Sequence, residues 1–163
     1  MNTTVSQDIR GVLISVTGGK LMLPNATVAE VITYSNPEPV ANAPAWLLGR
    51  VRWRGWGLPI VSYSRMVGWS AEAASLGAKV AVLKGVGNHA KMPYFAVLTQ
   101  GFPRLITIAD NELTETSARD AALPDGIYLE ANFHGDECVV PDLANIEAQI
   151  AGVLQHAGTM AAA

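Results

Sequence analysis

The stretch "GRVRWRGWGLPIVSYS", Gly49 to Ser64, decides how this chain is read. It places three arginines and two tryptophans between Gly49 and Trp56, then passes Gly57 into an apolar run. Successive side chains of a strand point to opposite faces. Arg50, Arg52 and Arg54 therefore fall on one face, and Val51 and Trp53 on the other. The apolar face belongs in a core. The apolar run "LPIVSYS" then predicts a hairpin turning around Gly55-Trp56-Gly57. The arginine face has several readings. It is a solvated surface whose stems cover apolar neighbours, a nucleic-acid groove with Trp56 as a stacking platform, a ligand pocket, or a protein-docking surface, where Trp and Arg are enriched.

The same grammar extends in both directions. "GVLISV" and "KLMLP" flank "TGG" and predict a hairpin over residues 11–24. "AEVITYS" reads as a further strand, and "NPEPVANAP", Asn36 to Pro44, as a loop with three prolines. "GWSAEAASLG", Gly68 to Gly77, is small and polar and reads as the connection between two halves. "AKVAVLKGV" pairs with "MPYFAVLTQ", and "FPRLITI" continues that sheet. Residues 109–126 read as a short helix followed by a loop. "GIYLEANF" and "ECVVP" pair around "HGD". The clear helix is "PDLANIEAQIAGVLQHA", where Ile146, Ile150, Val153 and Leu154 recur at helical spacing behind an Asp142 N-cap. Short strands with regular turn signals give an all-β fold of barrels, closed by this helix.

Composition narrows the function. A chain of 163 residues fits one domain. Half of it is hydrophobic and 15% is charged, so it buries a core. Net charge is −3 and the pI about 5.5, which argues against general nucleic-acid binding. With a single cysteine, Cys138, no intramolecular disulfide forms. No apolar run approaches the ~18 residues of a membrane span, and the N-terminus lacks a signal-peptide pattern. The expectation is a cytoplasmic protein with no membrane insertion.

Two constellations invite chemical readings. "GVGNHA", Gly85 to Ala90, matches a dinucleotide fingerprint, but Pro93 and a β-rich run follow where a phosphate-binding helix must start. It reads as a hairpin turn. "HGDEC", His134 to Cys138, gathers a His, two acids and a thiol. A metal site needs further ligands at defined spacing, and a Cys–His enzyme needs a placed base and oxyanion hole. The expectation is a polar hairpin tip leading into a buried Cys138, with no metal and no cofactor, while a Cys–His pair stays open from the residues alone.

The residues also carry a resemblance. "LMLPNATVAEVI", "PVANAPAWLLGRVRWRGWGLPIVSYSRMVG" and, more weakly, the sequence to about residue 156 resemble the CheW-like coupling domains of bacterial chemosensory arrays. Val28, Glu30 and Val31 match a V-x-E-V element. Pro44 and Gly49 match the next element, Arg54-Gly55 an R-G pair, and Pro59 and Gly68 the close. Arg52 stands for the usual Asn, Trp53 for Leu and Ser62 for Asp. These departures resemble accessory, ChpC-like members of type IV pilus (twitching) systems. The resemblance implies two SH3-like β-barrel subdomains with a C-terminal helix, spanning 11–156, after an N-terminal segment (1–10) and before a disordered tail (157–163). It implies a non-catalytic adaptor between a chemoreceptor's cytoplasmic tip and a CheA-type histidine kinase. Val28, Glu30, Val31, Arg54 and Gly55 would form its partner-binding region. Arg50, Arg52 and Trp56 receive no role from it. The other classes left open are a nucleic-acid-binding barrel using Arg50, Arg52 and Arg54, and a small enzyme using His134 and Cys138.

Overall fold

Several strands of this chain carry continuous apolar runs, such as Val80–Leu83 and Phe95–Leu98, and the fold accounts for them. A computed structural model describes residues 8–86, 93–109, 111–117 and 122–161, with side chains as far as Gln155. β1 (Ile9–Val16) and β2 (Gly19–Pro24) form the first hairpin. A 3-10 turn at Asn25–Thr27 leads into β3 (Val28–Thr33). β4 (Leu47–Trp53) and β5 (Trp56–Val61) form the arginine-tryptophan hairpin, followed by a one-turn helix α1 (Tyr63–Met66). β6 (Lys79–Lys84) and β7 (Tyr94–Thr99) pair antiparallel. Then come β8 (Arg104–Ile108), β9 (Leu113–Glu115), β10 (Ile127–Phe133), β11 (Asp136–Pro141) and helix α2 (Leu143–Ala161).

The strands form two sheets, ordered β8-β1-β2-β11-β10-β9 and β3-β6-β7-β5-β4. The division corrects two readings. The sheets are not the two halves of the chain: the middle strands make one, and both ends make the other. Residues 68–77 therefore connect two strands of the same sheet, and the chain changes sheets at 25–27 and at 100–103. Likewise "FPRLITI" does not continue the sheet of β6 and β7 but pairs with β1 in the other. Turn composition marks where a strand stops; it carries no information on which sheet the chain enters next.

Among the described residues three cores follow from this arrangement. Val51, Trp53, Leu58, Ile60, Val80, Val82, Ala96 and Leu98 fill the five-stranded sheet. Leu13, Met22, Ile108, Ala131, Phe133 and Cys138 fill the six-stranded one. The largest core lies between them, joining Val12, Ile14, Leu21 and Leu23 of one sheet to Leu83, Phe95 and Val97 of the other. Along β6, Val80 and Val82 face the barrel interior while Ala81 and Leu83 face the seam; along β7, Ala96 and Leu98 alternate with Phe95 and Val97. A strand buried on both faces reads as a continuous apolar run. The sheets are thus two barrels packed side by side, as expected.

Helix α2 covers the seam. The Asp142 carboxylate accepts the Asn145 N–H at 3.1 Å, the expected N-cap. Ile146 and Ile150 are fully buried, and Val153 and Leu154 are half-buried on the same core. The helical backbone continues to Ala161, where a disordered tail was expected from residue 157. Alanine's high helix propensity lets the ladder run through Gly158 and Thr159. The short helix expected in 109–126 is replaced, among the described residues, by strand β9. Three registered pairs with β10 outweigh the local propensity of "LTE". In "GVGNHA", residues 87–90, His89 among them, lie outside the described residues. The Gly85 N–H donates to the Pro93 carbonyl at 2.7 Å.

Candidate functional site

The five-stranded sheet has β3 and β4 as its edges, so a barrel forms only if they meet. They meet at Glu30. Its Oε1 accepts the Trp53 indole Nε1–H and the Arg54 Nη2–H, each at 3.0 Å. Glu30 lies opposite Val82, whose side chain is inside the barrel, so the carboxylate stands at the barrel rim. Trp53 is almost fully buried, with its ring edge-on to Tyr94 at 4.8 Å between centroids. The Arg54 guanidinium carbon lies 4.8 Å above the Trp53 ring.

The hairpin turn is Arg54-Gly55, with φ of 48° and 82°. Trp56 is not a turn residue: it pairs with Trp53 at the start of β5, and Gly57 pairs with Arg52. A two-residue loop with both φ positive matches the right-handed twist of the strands and favours Asn-Gly or Gly-Gly. Arg54 occupies it instead. The turn also removes Arg54 from the strand alternation. The expectation that it shares a face with Arg50 and Arg52 is corrected: its head group folds back over Trp53 to Glu30 and leaves two arginines, not three, in the stripe. Arg50 and Arg52 are exposed as expected, opposite Pro59 and Gly57.

The structure brings Glu30, Arg54 and Gly55 together and separates them from Val28 and Val31. Val28 and Val31 pair with Leu83 and Ala81, which face the seam between the barrels. Both valines are half-buried. The five residues therefore lie on two sides of β3.

A comparison with protein-family profiles matches residues 10–147 to the CheW-like domain. The chain belongs to the CheW-like family. Among solved structures, the scaffolding protein TtCheW from Thermoanaerobacter tengcongensis superposes with a TM-score of 0.70. The match is 14% identical in sequence and covers 88% of this chain and 90% of that one, so it shows the shared fold. A comparison with curated protein sequences finds no match.

This CheW-like domain does not assemble the enzyme pair considered from sequence. Cys138 is buried opposite Ala131 in the six-stranded barrel, and burial pushes its thiol up from the ordinary range. That is the reverse of an activated nucleophile. The His134 ring sits in the β10–β11 turn, edge-on to Phe133, and pairs with the Glu112 carboxylate. The Ala109 N–H, with His134 second, holds the Glu112 carboxyl below its usual range. Among the described residues no group of three or more His, Cys, Asp or Glu could hold a metal ion. No described helix is long and apolar enough to cross a membrane.

Asp136 starts β11 and gathers Lys20 of β2 at 3.2 Å and Arg104 of β8 at 3.3 Å. Lys20, by hydrogen bond and charge, and Arg104 more weakly, hold its carboxyl below the usual range. A depressed carboxylate contributes stability that is present above its ordinary pKa of about 3.9 and lost as pH falls through the folded value. Titrated by carboxyl-carbon NMR, Asp136 has its midpoint below about 3.9. Lys20→Met raises that midpoint, and more than Arg104→Met does. An unchanged midpoint in both variants would remove the pairing as its cause.

Two buried carboxylates escaped the sequence reading, Glu72 and, on α2, Glu147. Glu72 lies in the small, polar connection 68–77, yet it is 1% exposed. Its carboxylate accepts from the Thr17 N–H, the Ser62 hydroxyl and the Gln100 amide. Arg65 donates to the Glu72 carbonyl at 2.8 Å and to that of Ala45 at 2.9 Å, pinning the same segment. Tyr63 is buried, donates to the Gly126 carbonyl at 2.7 Å, and has its phenol pushed well above the ordinary range, first by burial and then by the Asp142 charge.

Proposed function

We propose that this CheW-like protein is a non-catalytic cytoplasmic adaptor that couples a methyl-accepting chemoreceptor to a CheA-type histidine kinase. The departures at Arg52, Trp53 and Ser62 favour an accessory, ChpC-like member serving type IV pili. The observation that carries the docking role is Arg54. An arginine occupies a left-handed turn position that suits Gly or Asn, and its side chain is 70% exposed. A non-glycine residue held there costs of order 1 kcal/mol, which argues that the side chain is retained for contact. Glu30 fixes the direction of the guanidinium, so the rim presents a preoriented charged pair. Val28 and Val31 supply half-buried apolar surface on the other side of the strand.

The nucleic-acid alternative is weakened by the same geometry. The stripe is reduced to Arg50 and Arg52, on a chain of net charge −3. Phosphate-driven binding grows with the number of neutralised phosphates, and two cations give little.

The test is Arg54→Glu and Arg54→Gly. An exposed ion pair contributes about 0–1 kcal/mol, so both variants fold and melt close to wild type. Arg54→Gly also relieves the left-handed strain. Arg54→Glu sets a second carboxylate beside Glu30 and opposes the partner's charge, a loss of several kcal/mol at an interface. Co-purification with receptor fragment and kinase is abolished in Arg54→Glu and weakened in Arg54→Gly, whereas Arg52→Glu changes it less. Normal binding by a folded Arg54→Glu would remove Arg54 from the interface.

A further inference from the structure

Trp56 is the aromatic of this hairpin that the fold leaves unexplained. It is 43% exposed, although the first residue of a strand beside a barrel rim could have been polar. Its ring is edge-on to Tyr94, with 6.5 Å between centroids, and Tyr94 in turn meets Trp53. The Arg54–Glu30 rim therefore continues through Trp53 and Tyr94 to Trp56. Beyond Trp56 the surface hollows into a cavity of about 120 Å³, lined by Arg50, Trp56, Gly57, Pro59, Tyr94 and Leu154. Small-molecule sites run to roughly 300–1,000 Å³. A cavity this small takes a single side chain. Its walls are ring faces, proline and leucine, so that side chain is aliphatic or aromatic.

Charge narrows the occupant further. Arg50 is the charged residue of the lining, it is exposed, and no described residue forms an ion pair with it. A partner that fills the cavity meets an unneutralised cation at its rim and is best served by a carboxylate. Strand addition along the β4 edge is closed off at this point. Glu38 and Arg50 already exchange both backbone hydrogen bonds at 2.8 Å. Gly49 permits that approach: a Cβ there would lie 2.4 Å from the Glu38 carbonyl oxygen. The partner consequently engages by side chains, as a helix laid on a surface does.

We infer that the Trp56–Tyr94–Arg50 pocket is a second anchor for the chemoreceptor's helical tip, taking one large apolar side chain with an acidic residue one helical turn away. This rests on the adaptor reading and adds a contact to it. Trp and Arg are the residues whose truncation most weakens interfaces.

The experiment measures binding of the full-length protein to the cytoplasmic fragment of each chemoreceptor encoded in its own genome, by isothermal calorimetry. At least one fragment binds wild type. For that fragment, Trp56→Ala and Arg50→Glu each weaken binding tenfold or more, while Trp56→Phe, which keeps a ring on Tyr94, loses less. Thermal midpoints of Arg50→Glu and Trp56→Phe match wild type. Should Trp56→Ala fail to fold, Arg50→Glu and Trp56→Phe carry the result. If wild type binds and every folded variant binds within twofold of it, the pocket is overturned and the adaptor reading stands. If no fragment binds wild type, the adaptor reading fails and the second anchor falls with it.

Discussion

Glu72→Ala lowers the thermal midpoint by about 10 °C, or prevents folding altogether. Glu72 is almost fully buried in the connection 68–77. Its carboxylate collects the Thr17 N–H at 2.8 Å, the Ser62 hydroxyl at 2.6 Å and the Gln100 amide at 2.9 Å. Thr17 belongs to the β1–β2 turn of the six-stranded sheet. Ser62 and Gln100 follow β5 and β7 of the five-stranded one. One side chain thus ties both barrels to the connection that carries it. A buried donor left without an acceptor costs about 1–3 kcal/mol. Three orphaned donors, partly rehydrated, cost about 3–5 kcal/mol against a net stability of roughly 5–15 kcal/mol. At this size each kcal/mol moves the midpoint by about 2–4 °C. Glu72→Gln keeps the shape but brings an amide NH₂ to a place where donors already converge, so it loses an intermediate amount. Melting curves followed by circular dichroism compare the three proteins. An alanine variant within 2 °C of wild type would show that water replaces the carboxylate, and the staple would have no energetic meaning.

The contrast between Glu72 and Val51 shows what the sequence made legible. Val51 and Trp53 were placed inside because alternation within one strand is a local rule, and the structure obeys it. The hairpins, the terminal helix and its Asp142 cap are local in the same sense. Glu72 sits among alanines and serines, where a lone acid reads as solvated. What buries it is contact with residues 55, 10 and 28 positions away, and no local pattern carries those separations. The assignment of strands to sheets failed for the same reason: β8 pairs with β1 across most of the chain. Arg54 failed for a different one. Counting alternation through a turn assumes the strand continues, and the left-handed pair Arg54-Gly55 ends it one residue sooner. The resemblance located Glu30 and Arg54 in one region. That they share a hydrogen-bonded contact which closes the barrel edges emerged only in three dimensions.

Ending the chain at Pro141 yields a product that loses near-ultraviolet dichroism, exposes apolar surface to dye and no longer melts cooperatively. Helix α2 is the lid of the largest core, not an appendage. Ile146 and Ile150 are 1% and 0% exposed, and both belong to the cluster that joins the two sheets. Burying a side chain of this size contributes about 1.5–3 kcal/mol, so these two alone supply about 3–6 kcal/mol. Their removal also uncovers the seam residues of both barrels, which then lack packing partners. The helix further supplies a polar contact: the Glu147 carboxylate, fully buried, accepts the Val86 N–H at 2.6 Å. Losses of this sum match a whole domain's net stability. The retained secondary structure without fixed packing would be that of a molten globule. Two shorter changes calibrate the result. Removing residues 158–163 leaves every buried contact named here in place and shifts the midpoint little. Ile150→Ala keeps the helix and costs about 2–5 kcal/mol through the cavity it opens. A chain ending at Pro141 that melts cooperatively at the full-length midpoint would make α2 a detachable arm, and the seam between the barrels would then have to be stable without it.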